Sequence, residues 1–338
     1  MLQLGWKAGT EQHRPSDLLE YAIAAEDAGF DSLDASDHFH PWSEAGQAGF
    51  VWTWLGAVAA RTRRLRLGTG LTCPILRYHP AVVAQAAATV SQLAPGRAYL
   101  AVGTGEALNE YAATGMWPGY RERQARLAEA IELIRLLWSG EEVTFRGIFY
   151  QTRRARLYTG PAAAIPLMVS SLVPESGAFA GRHGDGLLTV GGKRPELYRE
   201  MLGRFEAGAR EVGRDPATLP RQIELAVEYT PDVAAAVKHR TTYWAGTYVP
   251  ALFTERIYTP RMSAQNGEAI GADTIRQTGC LSPDPDEHVR FALRYVELGF
   301  TEIFFHSAAP DQRGFITAYG RDVLPRIRRH AGVRERAA

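Results

Sequence analysis

Short apolar runs alternate with stretches of helical periodicity along the whole chain of 338 residues. The strand-like runs fall at 2–5, 32–35, 65–68, 98–102, 166–171, 186–190, 223–229 and 302–306. Most are short and uniformly apolar, as strands buried on both faces of a sheet are. The seventh alternates instead, with Glu224 and Glu228 set among Ile223, Leu225 and Val227. Helix patterns lie between the runs, at 17–28, 80–93, 120–139, 195–212, 285–298 and 322–329. In the third of them Leu127, Ile131, Ile134, Leu137 and Trp138 recur at helical spacing. Ser16 is placed to cap the first helix and Gly29 to close it, while Asp284 and Pro285 suit the start of the fifth. Eight strands alternating with helices predict an α/β fold, a closed parallel (β/α)8 barrel of the TIM type, with a doubly wound open sheet as the rival. Two stretches break the rhythm, about 140–164 and 246–282, and are read as insertions over the C-terminal rim. No repeat or flexible linker divides the chain, so one domain is expected over 1–338.

Composition narrows the partners. Hydrophobic residues make up 46% of the chain, which excludes disorder. The 38 Lys plus Arg against 37 Asp plus Glu leave a net charge of +1, which gives nucleic acid or an anionic membrane no general attraction. No apolar run reaches the roughly 20 residues of a membrane span. The N-terminal stretch carries Lys7 and Glu11 and lacks the apolar core of an export signal. Two cysteines, Cys73 and Cys280, make neither a disulfide framework nor a tetrathiolate zinc site. A cytoplasmic protein acting on a small molecule is expected.

In a barrel of this type the chemistry sits where the strands end. After the second strand come Ser36, Asp37, His38, Phe39, His40, Pro41 and Trp42. His38 is a candidate general base, because imidazole titrates near neutrality. A single loop histidine is commonly structural; the company of Asp37, His40 and Trp42 at a strand end turns the reading to chemistry. His38 and His40 also form an H-x-H pair, as in metal-dependent barrel hydrolases. That reading needs ligands at further strand ends, and the fifth and sixth strands offer none, so no metal is expected. After the fourth strand, residues 103–110 read GTGEALNE, which lacks the third glycine of a dinucleotide fingerprint. Glu106 in that turn is a candidate proton donor, since a carboxyl in a partly dry pocket holds its proton more tightly. After the third strand Gly68, Gly70, Cys73 and Pro74 form a loop in which glycine lets backbone approach a flat ring. Lys193, behind Gly191 and Gly192, is a candidate anion ligand or simply a solvated lysine.

These motifs resemble the luciferase-like superfamily, and within it the F420-dependent glucose-6-phosphate dehydrogenase group. The residues that carry the resemblance are Lys7-Ala8 with Glu11-Gln12, the run 27–32, Ser36-Asp37-His38-Phe39 with Pro41-Trp42, residues 103–111, Ala180-Gly181-Arg182 with Gly184-Asp185-Gly186, Pro285-Asp286-Glu287 and Asp311-Gln312-Arg313. The resemblance implies a homodimeric enzyme that moves hydride between a carbinol carbon and C5 of coenzyme F420, a deazaflavin lying across the barrel mouth. It makes His38 the acceptor of the hydroxyl proton, packs Trp42 on the reacting centre, and lets Glu106 protonate the reduced ring. Asp37, Gly70, Leu71, Cys73, Thr104, Gly105, Asn109, Ser170 and Ser171 fall where the cofactor is held, with a non-proline cis peptide at Gly70–Leu71. Glu11, Lys193 and Arg256 fall on the substrate side.

The chain departs from that group at the phosphate end of the substrate. Lys193 matches one cation, but Val190 stands for a threonine, Thr278 for an arginine, and Arg256 only approximates the second lysine. Leu172 and Val173 replace a glycine pair that helps seat the cofactor. A dianion left with one cation is poorly neutralised, since each lost charged contact costs roughly 2–5 kcal/mol. The expected substrate is therefore an alcohol or sugar other than glucose 6-phosphate. The alternatives are an FMN-dependent monooxygenase and a sugar-6-phosphate dehydrogenase with a rearranged phosphate site.

Overall fold

A computed structural model describes residues 2–335, and in it nine strands run parallel: β1 (Gln3–Ala8), β2 (Ser32–Ala35), β3 (Arg66–Thr72), β4 (Ala98–Val102), β5 (Leu167–Ser170), β6 (Gly186–Val190), β7 (Arg221–Tyr229), β8 (Cys280–Ser282) and β9 (Glu302–His306). β1 to β7 pair in sequence, and β9 joins β7 to β1, which closes an eight-stranded barrel. The eight predicted strands are its eight staves. β8 extends the sheet beyond the barrel, beside the C-terminal half of β7 (Val227 opposite Cys280). Of the expected domain, residues 1 and 336–338 lie outside the described residues.

Alternation along each strand divides lumen from exterior. Leu4 and Trp6 of β1 join the core shared with the surrounding helices. The lumen holds Tyr99, Met168, Leu188 and Phe304. Glycine makes room for the large rings there: a Cβ on Gly5 would lie 2.3 Å from Phe304 Cδ1.

Helix starts follow proline as well as cap residues. The first helix is Pro15–Asp27, with Pro15 in its first turn, and Ser16 lies inside it rather than capping it. Gly29 follows it with φ +87°, the left-handed geometry that glycine favours. Asp284 does cap Pro285–Glu297, accepting from Asp286 N at 2.9 Å. The stretch expected at 322–329 contains the junction between Gln312–Asp322 and Leu324–Glu335. Helix Pro174–His183 lies on Pro195–Glu211 with glycine at the contact. A Cβ on Gly181 would sit 2.0 Å from Phe205 O, and one on Gly208 would sit 2.2 Å from Ala178 O.

The two irregular stretches differ. Residues 140–164 form a small hairpin, with Val143 bridging Ala155, packed along helices Pro80–Leu93 and Tyr120–Trp138. Its Tyr150 reaches Ile75 O in the loop after β3. The stretch 246–282 is mostly helical, with helices Pro260–Gly267 and Ala272–Thr278 before β8. It is fastened to the rim through its carbonyls: Arg123 donates to Phe253 O at 3.0 Å, Trp117 to Thr254 O at 3.4 Å, and His40 Nδ1 lies 3.2 Å from Tyr258 O. Among the described residues no helix is long and apolar enough to cross a membrane.

Candidate active site

The loop after β2 turns His38 back toward the barrel axis, where its side chain is 11% exposed. Its Nε2 lies 3.0 Å from Glu106 Oε1, and its Nδ1 lies 3.6 Å from Glu11 Oε1 and 3.3 Å from His40 O. Three strand ends thus converge on one imidazole: Glu11 after β1, His38 after β2 and Glu106 after β4. Burial by itself would lower the His38 pKa; the two carboxylates outweigh it and hold it above the ordinary 6.5. Glu106 is buried, and its Oε2 has no hydrogen-bond partner. Trp42 lies against His38, ring centroids 5.1 Å apart. On its other side Trp42 packs with Leu108, Trp244, Val249, Leu252 and Ile257, a dry cluster that includes much of the stretch 246–282.

Asn109 organises this group. Its Oδ1 accepts from Phe39 N at 2.7 Å and His40 N at 3.0 Å, while its Nδ2 donates to Glu106 Oε1 at 2.8 Å. Asp37 is similarly engaged with protein. It accepts from Thr72 Oγ1, Tyr78 OH and Arg77 Nη2 at 2.8, 2.9 and 3.2 Å. Arg77 also pairs with buried Glu110, and the two carboxylates hold one guanidinium between the loops after β2, β3 and β4. Burial pushes the Glu110 carboxyl up to about 7 against the pull of Arg77.

Around the barrel mouth, the peptide Gly70–Leu71 is cis, as expected. The register of β3 against β4 shifts between Thr69 and Thr72, so these two residues bulge out of the ladder. The loop after β4 presses on the bulge. A Cβ on Gly103 would sit 2.9 Å from Leu71 Cδ2, and one on Gly105 would sit 2.5 Å from Cys73 Sγ. Gly105 has φ +71°, which also favours glycine. Cys73 is buried, and burial raises its thiol pKa, so it serves as packing rather than as a nucleophile. Thr104 and Ser170 are half-buried, and a Cβ on Gly103 would lie 3.4 Å from Ser170 Cβ. Ser171 turns inward, its hydroxyl donating to Val173 O and meeting Ser176 Oγ at 2.8 Å.

The substrate-side positions are less united. Lys193 Nζ donates to Val190 O at 3.2 Å, and burial pushes its pKa down to about 8. Thr278 Oγ1 donates to Thr274 O within its own helix. Arg256 is exposed and stacks over Tyr111 at 5.9 Å. Val190 presents an apolar, 39% exposed surface.

Sequence reasoning noted Lys7 and Glu224 but missed the charged group they form in the lumen directly below. Lys7 of β1 stands opposite Asp34 of β2 in register. Its Nζ donates to Gly70 O at 2.6 Å and lies 3.2 Å from Glu224 Oε2 and 3.6 Å from Asp34 Oδ2. Glu224 Oε1 in turn lies 3.4 Å from His306 Nδ1. Burial lowers the His306 pKa well below the ordinary value and raises that of Asp34. Lys7 stands above the ordinary lysine value, because Asp34, Glu224 and Glu11 outweigh its burial. The available signal was charge inside short strands otherwise buried on both faces.

Comparison with known proteins places these features in a family setting. The family model for luciferase-like monooxygenases matches residues 2–302. An F420-dependent glucose-6-phosphate dehydrogenase of Beutenbergia cavernae is 43% identical over 97% of this chain and 98% of its own. The enzyme of the same description from Mycolicibacterium smegmatis is 41% identical, covering 98% and 99%. A solved structure described as an F420-dependent secondary alcohol dehydrogenase in complex with an F420–acetone adduct is 37% identical, with a TM-score of 0.92 over 96% of this chain and 99% of that one.

Proposed function

The chain belongs to the luciferase-like family, and from that premise we infer that it is an F420-dependent oxidoreductase moving hydride between an alcohol or sugar and the deazaflavin. The three relatives named above are described by F420, and the FMN-dependent monooxygenase considered from the sequence gives way to that reading. The residues present fit such a ring. A glycine-lined loop and a bulge meet at the mouth, and a buried carboxylate oxygen, Glu106 Oε2, is left without a partner beside them. The observation that carries the reading is one imidazole held between two carboxylates from different strand ends.

Coenzyme F420 supplies a two-electron hydride acceptor at ring carbon C5. The protein's part is the proton. Nδ1–H of His38 donates toward His40 O and faces Glu11, which leaves the Nε2 lone pair for a hydroxyl that inserts between it and Glu106. An alcohol gives up hydride only as its hydroxyl proton leaves, so His38 acts as general base in oxidation and general acid in reduction. Glu106 Oε2, buried and without a partner, is the oxygen that would face the ring where negative charge develops and pass a proton to it. Trp42 and the dry cluster behind it exclude water from the carbinol side. Asp37, Gly70, Leu71, Cys73, Thr104, Gly105, Asn109, Ser170 and Ser171 would hold the cofactor, Ser171 and Asn109 chiefly through the loops they fix.

Support for an unphosphorylated substrate comes from the rim. The Lys193 cation is weakened by burial, Arg256 is exposed and turned onto Tyr111, and Thr278 and Val190 add no ligand. Two free, buried cysteines suit a reducing cytoplasm, and the family resemblance supports a homodimer. Mixing the protein with oxidised F420 and a panel of alcohols and sugars tests the reading. Absorbance of the oxidised ring should fall with an uncharged alcohol and scarcely with glucose 6-phosphate. His38→Ala should bind F420 normally by fluorescence quenching and lose about 10²–10⁴ in turnover. Unchanged turnover would remove the role given to His38, and preferential binding of FMN would overturn the cofactor.

A further inference from the structure

The lumen cluster around Lys7 is not used by the proton chemistry, yet it touches the cofactor end of the barrel at one atom. Gly70 and Leu71 have no registered partner on β2 or β4, because both ladders of β3 leave off at Thr69 and only that to β4 resumes, at Thr72. The Gly70 carbonyl is therefore free of the sheet, and the buried Lys7 ammonium takes it at 2.6 Å. The neighbouring Leu71 carbonyl accepts from Asp37 N at 3.3 Å, and the Leu71 side chain abuts Gly103. The bulge is thus fixed from below by a charge and from above by the rim loops. Room below it is fully taken: a Cβ on Gly70 would sit 2.1 Å from Asp34 Oδ2.

We propose that Lys7 is a positioning residue for the cofactor, its ammonium fixing the Gly70 carbonyl and hence the Leu71 platform against which the deazaflavin rests. Asp34 and Glu224 hold the ammonium in place: one stands opposite it on the adjacent strand, the other reaches it from β7, and both are within 3.6 Å of Nζ. A charge-assisted hydrogen bond of this kind sets direction as well as energy, because the ammonium is itself held by anions on two sides. The assignment rests on the F420 reading above.

Lys7→Met alone leaves the buried Asp34 and the half-buried Glu224 without the cation between them, so the test uses Lys7→Met combined with Glu224→Gln as well. The folded double variant, checked by a cooperative melt, should bind F420 about tenfold more weakly or worse by fluorescence quenching. Its alcohol KM at saturating F420 should stay at the wild-type value. Amide exchange in the peptide spanning residues 69–73 should speed up in the cofactor-free protein. A folded variant with an F420 Kd within about twofold of wild type and unaltered exchange overturns the role of Lys7. Wild-type protein that fails to bind F420 overturns the proposed function instead, and the exchange measurement still reports whether Lys7 holds the bulge.

Discussion

The imidazole of His38 carries opposite demands in the two directions of the reaction. Oxidation needs its neutral form, and the neighbouring carboxylates favour the charged one. The pH dependence follows with a definite sign. For alcohol oxidation kcat/KM should rise with pH through a midpoint above 6.5, and for carbonyl reduction it should fall through the same region. Glu11→Gln should move that midpoint downward, because one of the two anions that hold the proton is gone; a pH–rate profile of the two proteins checks it. His38, Trp42 and Glu106 were legible from sequence because each follows a recognisable strand end. Asn109 and Asp37 were legible as site residues, but their engagement was not. Which atoms a carboxylate or amide satisfies depends on loops from other staves, and no local pattern records them. Lys7 was legible as a motif residue but not as a lumen residue, because β1 runs to Ala8 instead of ending at Gly5.

At the level of elements, uniform burial made the staves readable and concealed several helices. Val51–Arg61 is apolar on most of its surface and shows no polar face to mark it. Pro174–His183 is hidden in a different way, since its contact is made by small residues. Gly177, Gly181 and Gly208 bring two helices to backbone contact, and this gives the Ala180-Gly181-Arg182 motif its physical meaning. Gly181→Ala would place a methyl 2.0 Å from a main-chain oxygen that cannot swing aside. It should cost about 1–3 kcal/mol in urea unfolding, while His38 and the bulge keep their geometry. β8 was absorbed into the stretch 246–282 because three residues carry no period, and only its pairing with Val227 reveals it.

For the molecule as a whole, a buried ion pair ties the barrel to the segment above it. Arg240 is 2% exposed; its Nε lies 2.8 Å from Glu228 Oε1, and its Nη2 donates to His306 O. Glu228 also accepts from Ala308 N and Ser307 Oγ, so the end of β9, the end of β7 and helix Val233–Trp244 meet there. Burial raises the Glu228 pKa against the pull of Arg240. Arg240→Met strands that carboxylate and should cost about 3–5 kcal/mol, whereas adding Glu228→Gln should recover part of the loss; thermal or urea unfolding of the two variants separates them. The attachment of residues 246–282 has a different character. Arg123, Trp117 and His40 take main-chain oxygens at Phe253, Thr254 and Tyr258, while Val249, Leu252 and Ile257 pack beneath against Trp42. Exposed side chains such as Glu255 and Glu268 take no part in that fastening, so mutation can rewrite the outer face of the cover while it remains docked. Within one lineage, a preference for a new alcohol can then arise by drift in a few exposed positions, with the catalytic floor inherited intact.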